Sequence, residues 1–105
     1  MATIKKTKSF GEHLRHLREE TGLTLKFLSE QISIDTSLLA KIERNERQAT
    51  KEQIKLVAKF FNYNVQLLIE ENLSDQLAYK IIESDADINI LKVAEEKIKY
   101  LKKKK

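Results

Sequence analysis

Residues 24–43 read TLKFLSEQISIDTSLLAKIE, and the fold turns on this stretch. Thr24 has the hydroxyl of an N-cap, able to accept from a backbone N–H in the first helical turn. Phe27, Leu28 and Ile32 follow at helical spacing, which predicts a short helix that ends near Gln31 or Ile32 and buries that stripe. After Ser33 and Ile34, Asp35 caps a second short helix. In it Leu38, Leu39 and Ile42 face inward while Thr36, Ser37 and Lys41 fall on the other side. Close crossing of the two helices needs a small residue on the first, which Ser29 supplies, and an apolar plug in the turn, which Ile34 supplies.

Working outward, Ser9 and Glu12 form a capping box, and Phe10, Leu14 and Leu17 carry a helix over roughly 10–20 until Gly22 ends it. Downstream, 44–49 is a polar loop. Thr50 with Gln53 makes a second capping box, and Ile54, Val57, Ala58 and Phe61 give the next stripe. Asn62 and Asn64 break that pattern, and Val65, Leu67, Leu68 and Ile69 predict a short, strongly apolar fifth helix that closes the core. Beyond Asn72, Ser74 reads as the cap of a separate segment with Leu77, Ile81 and Ile82. A polar interval, 84–87, then precedes a last helical stretch with Leu91, Ala94, Ile98 and Leu101. Proline is absent and glycine occurs only at Gly11 and Gly22, so the expected class is all-α. The expected division is a basic arm, 1–8, a five-helix unit, 9–72, and a C-terminal extension of one or two helices with a lysine tail, 73–105.

Composition excludes several functions. No stretch approaches the roughly 18 apolar residues of a membrane span, and the N-terminus lacks the apolar run of a signal peptide, so a cytoplasmic protein with no membrane role is expected. Without cysteine there is no disulfide, thiolate ligand or thiol nucleophile. His13 and His16 lie three apart with no third ligand at metal spacing and read as surface or edge residues; neither metal nor cofactor is expected. No nucleophile–base pair or glycine-rich phosphate loop points to an enzyme. The net charge of +4 arises from 20 basic and 16 acidic residues, so any nucleic-acid surface depends on local segregation rather than on the total. Basic residues gather at the ends, with Lys5, Lys6 and Lys8 at one and Lys102 to Lys105 at the other.

Two short helices, a tight turn and an exposed polar face on the second helix meet the requirements of a helix-turn-helix, whose second helix enters the DNA major groove. In LTLKFLSEQISIDTSLLAKIERNER and, further on, IKLVAKFFNYNVQLLI, the chain resembles the Xre family of phage Cro and C1 repressor-like regulators. The resemblance covers about two thirds of the chain. It implies a five-helix lambda-repressor-like DNA-binding domain and places Thr36, Ser37, Leu38 and Lys41 at base edges. Lys41 suits guanine O6 and N7, Leu38 a thymine methyl. Ser29 and Ser33 stand where the family commonly has Ala and Gly, and Leu25 replaces a frequent phosphate-contacting Gln. The resemblance also implies an ion pair between Arg18 and Glu43 that ties the first helix to the end of the recognition helix. Thr24, at a helix N-terminus, and Arg44, Arg47 and Gln48 in the following loop are the expected phosphate contacts. Lys5, Lys6 and Lys8 resemble the basic arm that some phage repressors wrap around DNA.

One such motif buries little DNA surface, so a homodimer on a palindromic double-stranded operator is expected. The dimerisation candidates are Leu77, Ile81, Ile88, Leu91, Ala94, Ile98 and Leu101, whose spacing forms an apolar stripe. The expected role is a bacterial or phage-encoded transcriptional regulator, as a repressor or a restriction-modification controller. The alternative is an antitoxin that binds a toxin protein through the C-terminal helices and represses its own operon.

Overall fold

The computed structural model describes residues 9–104, which form six helices: α1 (Phe10–Glu20), α2 (Leu25–Ile32), α3 (Thr36–Glu43), α4 (Lys51–Phe61), α5 (Val65–Glu83) and α6 (Ile90–Lys104). Lys5, Lys6 and Lys8 of the expected arm lie outside the described residues. Local chemistry sets most boundaries. Ser9 Oγ accepts the Glu12 N–H while Glu12 Oε1 accepts the Ser9 N–H, both at 3.2 Å, which closes the first capping box. Thr24, Asp35 and Asn64 each accept the N–H three residues on, and Thr50 and Gln53 form the second box. The α1–α2 corner turns at Gly22, whose φ of +71° lies in the left-handed region where glycine carries no steric cost.

The core lies where α1 to α4 converge and is plugged by Leu68 from α5. Leu14, Leu28, Leu39, Ile42 and Val57 are sealed from solvent, and Ile34 fills the turn of the motif. Gly11 is buried against the end of α3: a Cβ there would run into the Ile42 carbonyl oxygen and the Asn45 side chain, so the close approach of α1 to α3 requires glycine.

Several details depart from the sequence expectation. Phe27, expected on the buried stripe of α2, is 45% exposed; Leu28, Ser29 and Ile32 fill that interface. The fifth helix does not stop near Ile69, and Ser74 caps nothing. α5 continues unbroken through Asn72 and Ser74 to Glu83. Both residues are cap formers by type, but each is satisfied within a continuous helix. Ser74 Oγ donates back to the Glu71 carbonyl at 2.8 Å, and buried Asn72 donates Nδ2 to the Ala49 carbonyl at 3.4 Å. The prolonged helix also supplies Asp75, whose Oδ2 accepts the Phe10 N–H at 2.8 Å. That amide begins α1 and has no partner within its own helix, and a carboxylate suits the positive end of the helix dipole. His13 is likewise tied to α5, with Nδ1 2.8 Å from Glu71 Oε1 and its ring edge-on to Tyr63.

Of the expected core formers in the fifth helix, Leu68 is buried and Ile69 partly so, whereas Val65 and Leu67 are exposed. α6 follows a turn in which Asp85 adopts a left-handed backbone and Asp87 Oδ1 accepts the Asn89 N–H. It contributes no buried residue.

Candidate nucleic-acid interface

α3 is oriented by what it buries. Leu39, Ile42 and Glu43 point inward, and helical spacing then puts Ser37, Lys41 and the following Arg44 together on the opposite, solvent-facing side. Leu38 is half-buried at the edge between the two faces. The far end of the helix is anchored by Glu43, whose side chain is 4% exposed. Its carboxylate accepts from Arg18 Nε at 2.7 Å and Nη2 at 2.9 Å, and Arg18 Nη1 donates to the Leu23 carbonyl at 2.9 Å. Guanidinium and carboxylate meet fork to fork, so the pair fixes direction as well as distance. The hydrogen bond to Glu43 is the main cause that raises the Arg18 pKa above its ordinary value, against the opposing effect of burial.

The near end of α3 is anchored at Ser29, whose Oγ lies 2.7 Å from Thr36 Oγ1 and 2.8 Å from the Lys26 carbonyl oxygen. Sequence alone explains Ser29 by its size; that its hydroxyl also engages the first residue of the next helix follows only from the packing of α2 on α3. Thr36, a residue expected at base edges, therefore has its hydroxyl engaged within the motif, although the residue is exposed, as Ser37 and Lys41 are.

The loop after α3 curls back, with Asn45 in a left-handed backbone and the Glu46 N–H donating to the Lys41 carbonyl at 2.8 Å. Arg44 faces solvent but holds Glu46 in a two-pronged pair, Nε to Oε2 at 3.0 Å and Nη2 to Oε1 at 3.1 Å. That hydrogen bonding raises the Arg44 pKa and lowers the Glu46 pKa from their ordinary values. Glu46 is a residue the sequence reading passed over, and its one available signal is an acid two residues after an arginine in a short loop. Arg47 is exposed, and Gln48 Oε1 meets Gln76 Nε2 of α5 at 3.5 Å. Thr24 Oγ1 accepts the Phe27 N–H at 3.0 Å, and the α2 N-terminus opens to solvent.

A buried α2–turn–α3 wedge thus presents a braced, polar outer helix with cationic groups at its end. The family profile described as helix-turn-helix matches residues 14–68, just over half of the chain. The chain belongs to the Cro/C1-type helix-turn-helix family. Membership makes it a DNA-binding transcriptional regulator. Among solved structures, a chain of the SinR protein/SinI protein complex is similar at 21% sequence identity and a TM-score of 0.54, over 90% of this chain and 98% of that one. At that identity the similarity speaks to fold, and it extends over the C-terminal helices as well as the helix-turn-helix. Comparison with curated proteins found no similar sequence.

Among the dimerisation candidates, Leu77, Ile81, Ile88 and Leu91 line one apolar groove of about 390 Å³ between the end of α5 and the start of α6, together with Ala78 and Ile82. Ala94, Ile98 and Leu101 lie farther along α6, the last two more than half exposed. Among the described residues, no group of three His, Asp or Glu side chains is arranged to hold a metal, and no helix is long and apolar enough to cross a membrane.

Proposed function

We propose that this regulator binds a palindromic double-stranded operator as a homodimer and represses transcription. α3 lies in the major groove with Thr36, Ser37, Leu38 and Lys41 at base edges. The α2 N-terminus at Thr24 and the side chains of Arg44, Arg47 and Gln48 hold the phosphates. One observation carries the reading: the exposed face of α3 brings Ser37, Lys41 and Arg44 together while the helix is braced by Ser29 at one end and Arg18 at the other.

Dimerisation is assigned to the C-terminal hairpin, meaning the end of α5, the turn over 84–89 and α6. A 15-residue helix that buries none of its residues gains little from its own backbone, and α6 carries Leu91, Ile98 and Leu101 on its surface. A second copy of the hairpin would cover them. Selection of bound duplexes from a random library tests the whole proposal. A palindromic consensus with half-sites about one helical turn apart is expected, and binding that depends on salt but not on sequence refutes it. Deletion of residues 1–8 in the same assay is expected to reduce the salt slope where Lys5, Lys6 and Lys8 contact phosphate.

A second reading, in which a different protein occupies the hairpin as a toxin would for an antitoxin, draws on the apolar groove and on the similar solved chain, which belongs to a SinR protein/SinI protein complex. A purified chain that is monomeric alone and forms a stoichiometric complex with the product of a neighbouring gene would favour this reading.

A further inference from the structure

Ser29 Oγ contacts two oxygens, the Lys26 carbonyl at 2.8 Å and Thr36 Oγ1 at 2.7 Å. A hydroxyl has one proton and two lone pairs, and a carbonyl oxygen has no proton to give. The Ser29 proton therefore lies toward Lys26, and the contact between the two hydroxyls is bridged by the proton of Thr36. Thr36 is the first residue of α3, so its own helix offers no preceding carbonyl to compete for that proton. Its exposed side chain is left with lone pairs only.

We infer that Thr36 reads DNA as an obligate acceptor, held in that role by Ser29; this rests on the major-groove placement of α3 proposed above. A threonine free to rotate bonds to donors and acceptors alike and discriminates poorly. With its proton committed, Thr36 accepts only from an exocyclic amino group. In the major groove those groups are adenine N6 and cytosine N4, whereas guanine presents N7 and O6 and thymine O4. Every base pair carries one amino base and one keto base on that edge, so Thr36 reports which strand carries the amino base at one position of each half-site. Ser29, 5% exposed beneath it, is a positioning residue.

The test is duplex selection with the full chain and two variants, Thr36→Val and Ser29→Ala. Thr36→Val retains the shape without the acceptor and marks the position read by this residue, where a preference of about tenfold is expected to collapse. At that position the unsubstituted protein is expected to accept adenine or cytosine on one and the same strand, with thymine or guanine opposite. Ser29→Ala, which returns rotation to the Thr36 hydroxyl, is expected to admit guanine and thymine there while every other position keeps its preference. Three outcomes overturn the inference alone: a preference at the marked position that groups the bases otherwise than adenine with cytosine on one strand, such as purine against pyrimidine, a Ser29→Ala profile identical to that of the unsubstituted protein, or a Thr36→Val profile altered nowhere. If the unsubstituted protein yields no consensus, sequence-specific binding itself is refuted and the inference falls with it.

Discussion

Glu43 closes α3 by joining its carboxylate to the Arg18 guanidinium of α1 through hydrogen bonds of 2.7 and 2.9 Å. Both side chains are largely withdrawn from water, Glu43 at 4% exposure and Arg18 at 13%. Removal of one partner strands the other charge. Glu43→Ala is expected to destabilise the fold by about 3 kcal/mol, the lower end for a broken buried pair because Arg18 retains some access to solvent. For a domain of this size that lowers Tm by at least about 10 °C in a thermal melt followed by circular dichroism. An unchanged Tm would deny the pair its architectural role.

In the proposed complex Arg44 must divide its donors between Glu46 and a phosphate. That carboxylate presents two oxygens to the guanidinium much as a phosphate would, so it competes for the same donors. Glu46→Gln is expected to tighten operator binding several-fold at fixed salt, with the gain shrinking as salt rises. Fluorescence anisotropy titrations at two ionic strengths measure both quantities, and weaker binding by the variant would contradict the competition.

Asp75 gives a dependence on pH with an uncommon sign. Its burial raises the carboxyl pKa above its ordinary value, opposed by the Phe10 N–H and reinforced by Glu71 and Glu12 nearby. The folded state thus binds this proton more tightly than the unfolded chain does. The contribution of Asp75 to stability falls as pH rises from its unfolded pKa through the higher folded one, unlike that of a carboxylate whose folded pKa is depressed. Asp75→Asn retains an acceptor for Phe10 and removes the ionisation. The difference in Tm, variant minus unsubstituted, is expected to grow as pH rises above the ordinary aspartate value; a difference independent of pH would mean that the raised pKa has no effect on folding.

Gly11→Ala makes two effects compete. Helix propensity favours alanine by about 1 kcal/mol. The added methyl, however, meets the Ile42 backbone carbonyl, which no side-chain rotation can move aside. A net loss of about 1–2 kcal/mol is expected, measured by urea denaturation. A stabilised variant would mean that α1 and α3 separate easily.

The caps of α1 to α4 were legible because each places a short polar side chain directly before an apolar periodicity. Other features depended on partners distant in sequence. Asn72 and Ser74 carry the chemistry of a helix boundary, yet α5 runs on through both: Ser74 turns back to the Glu71 carbonyl, and Asn72 and Asp75 meet the Ala49 carbonyl and the Phe10 amide only after folding. Phe27 fits the apolar stripe of α2 as well as Leu28 does, and only the position of the neighbouring helices leaves it outside. In the candidate site, the exposed face of α3 followed from periodicity. The pairing of Arg18 with Glu43, 25 residues apart, came through family resemblance rather than local pattern, and the Ser29–Thr36 and Arg44–Glu46 contacts needed atomic positions.

The course of α5 also decides where the chain can be cut. Truncation after Asn72 removes Asp75, which holds the start of α1, whereas truncation after Ser84 spares it. The shorter cut at Ser84 discards only the turn and α6, which buries nothing. It is expected to leave a folded monomer in sedimentation equilibrium while the full chain is dimeric. A truncated protein that remains dimeric would move the interface away from α6.

Because α5 is one helix of 19 residues, it is a rod about 28 Å long that begins beside the DNA-binding core and ends at the hairpin. A rod transmits angle as well as distance. With the hairpins of two copies paired, the separation and relative twist of their recognition helices would be set as if by calipers, with no flexible tether to absorb error. Such a protein would tolerate base changes within a half-site more readily than the gain or loss of a single base pair between half-sites.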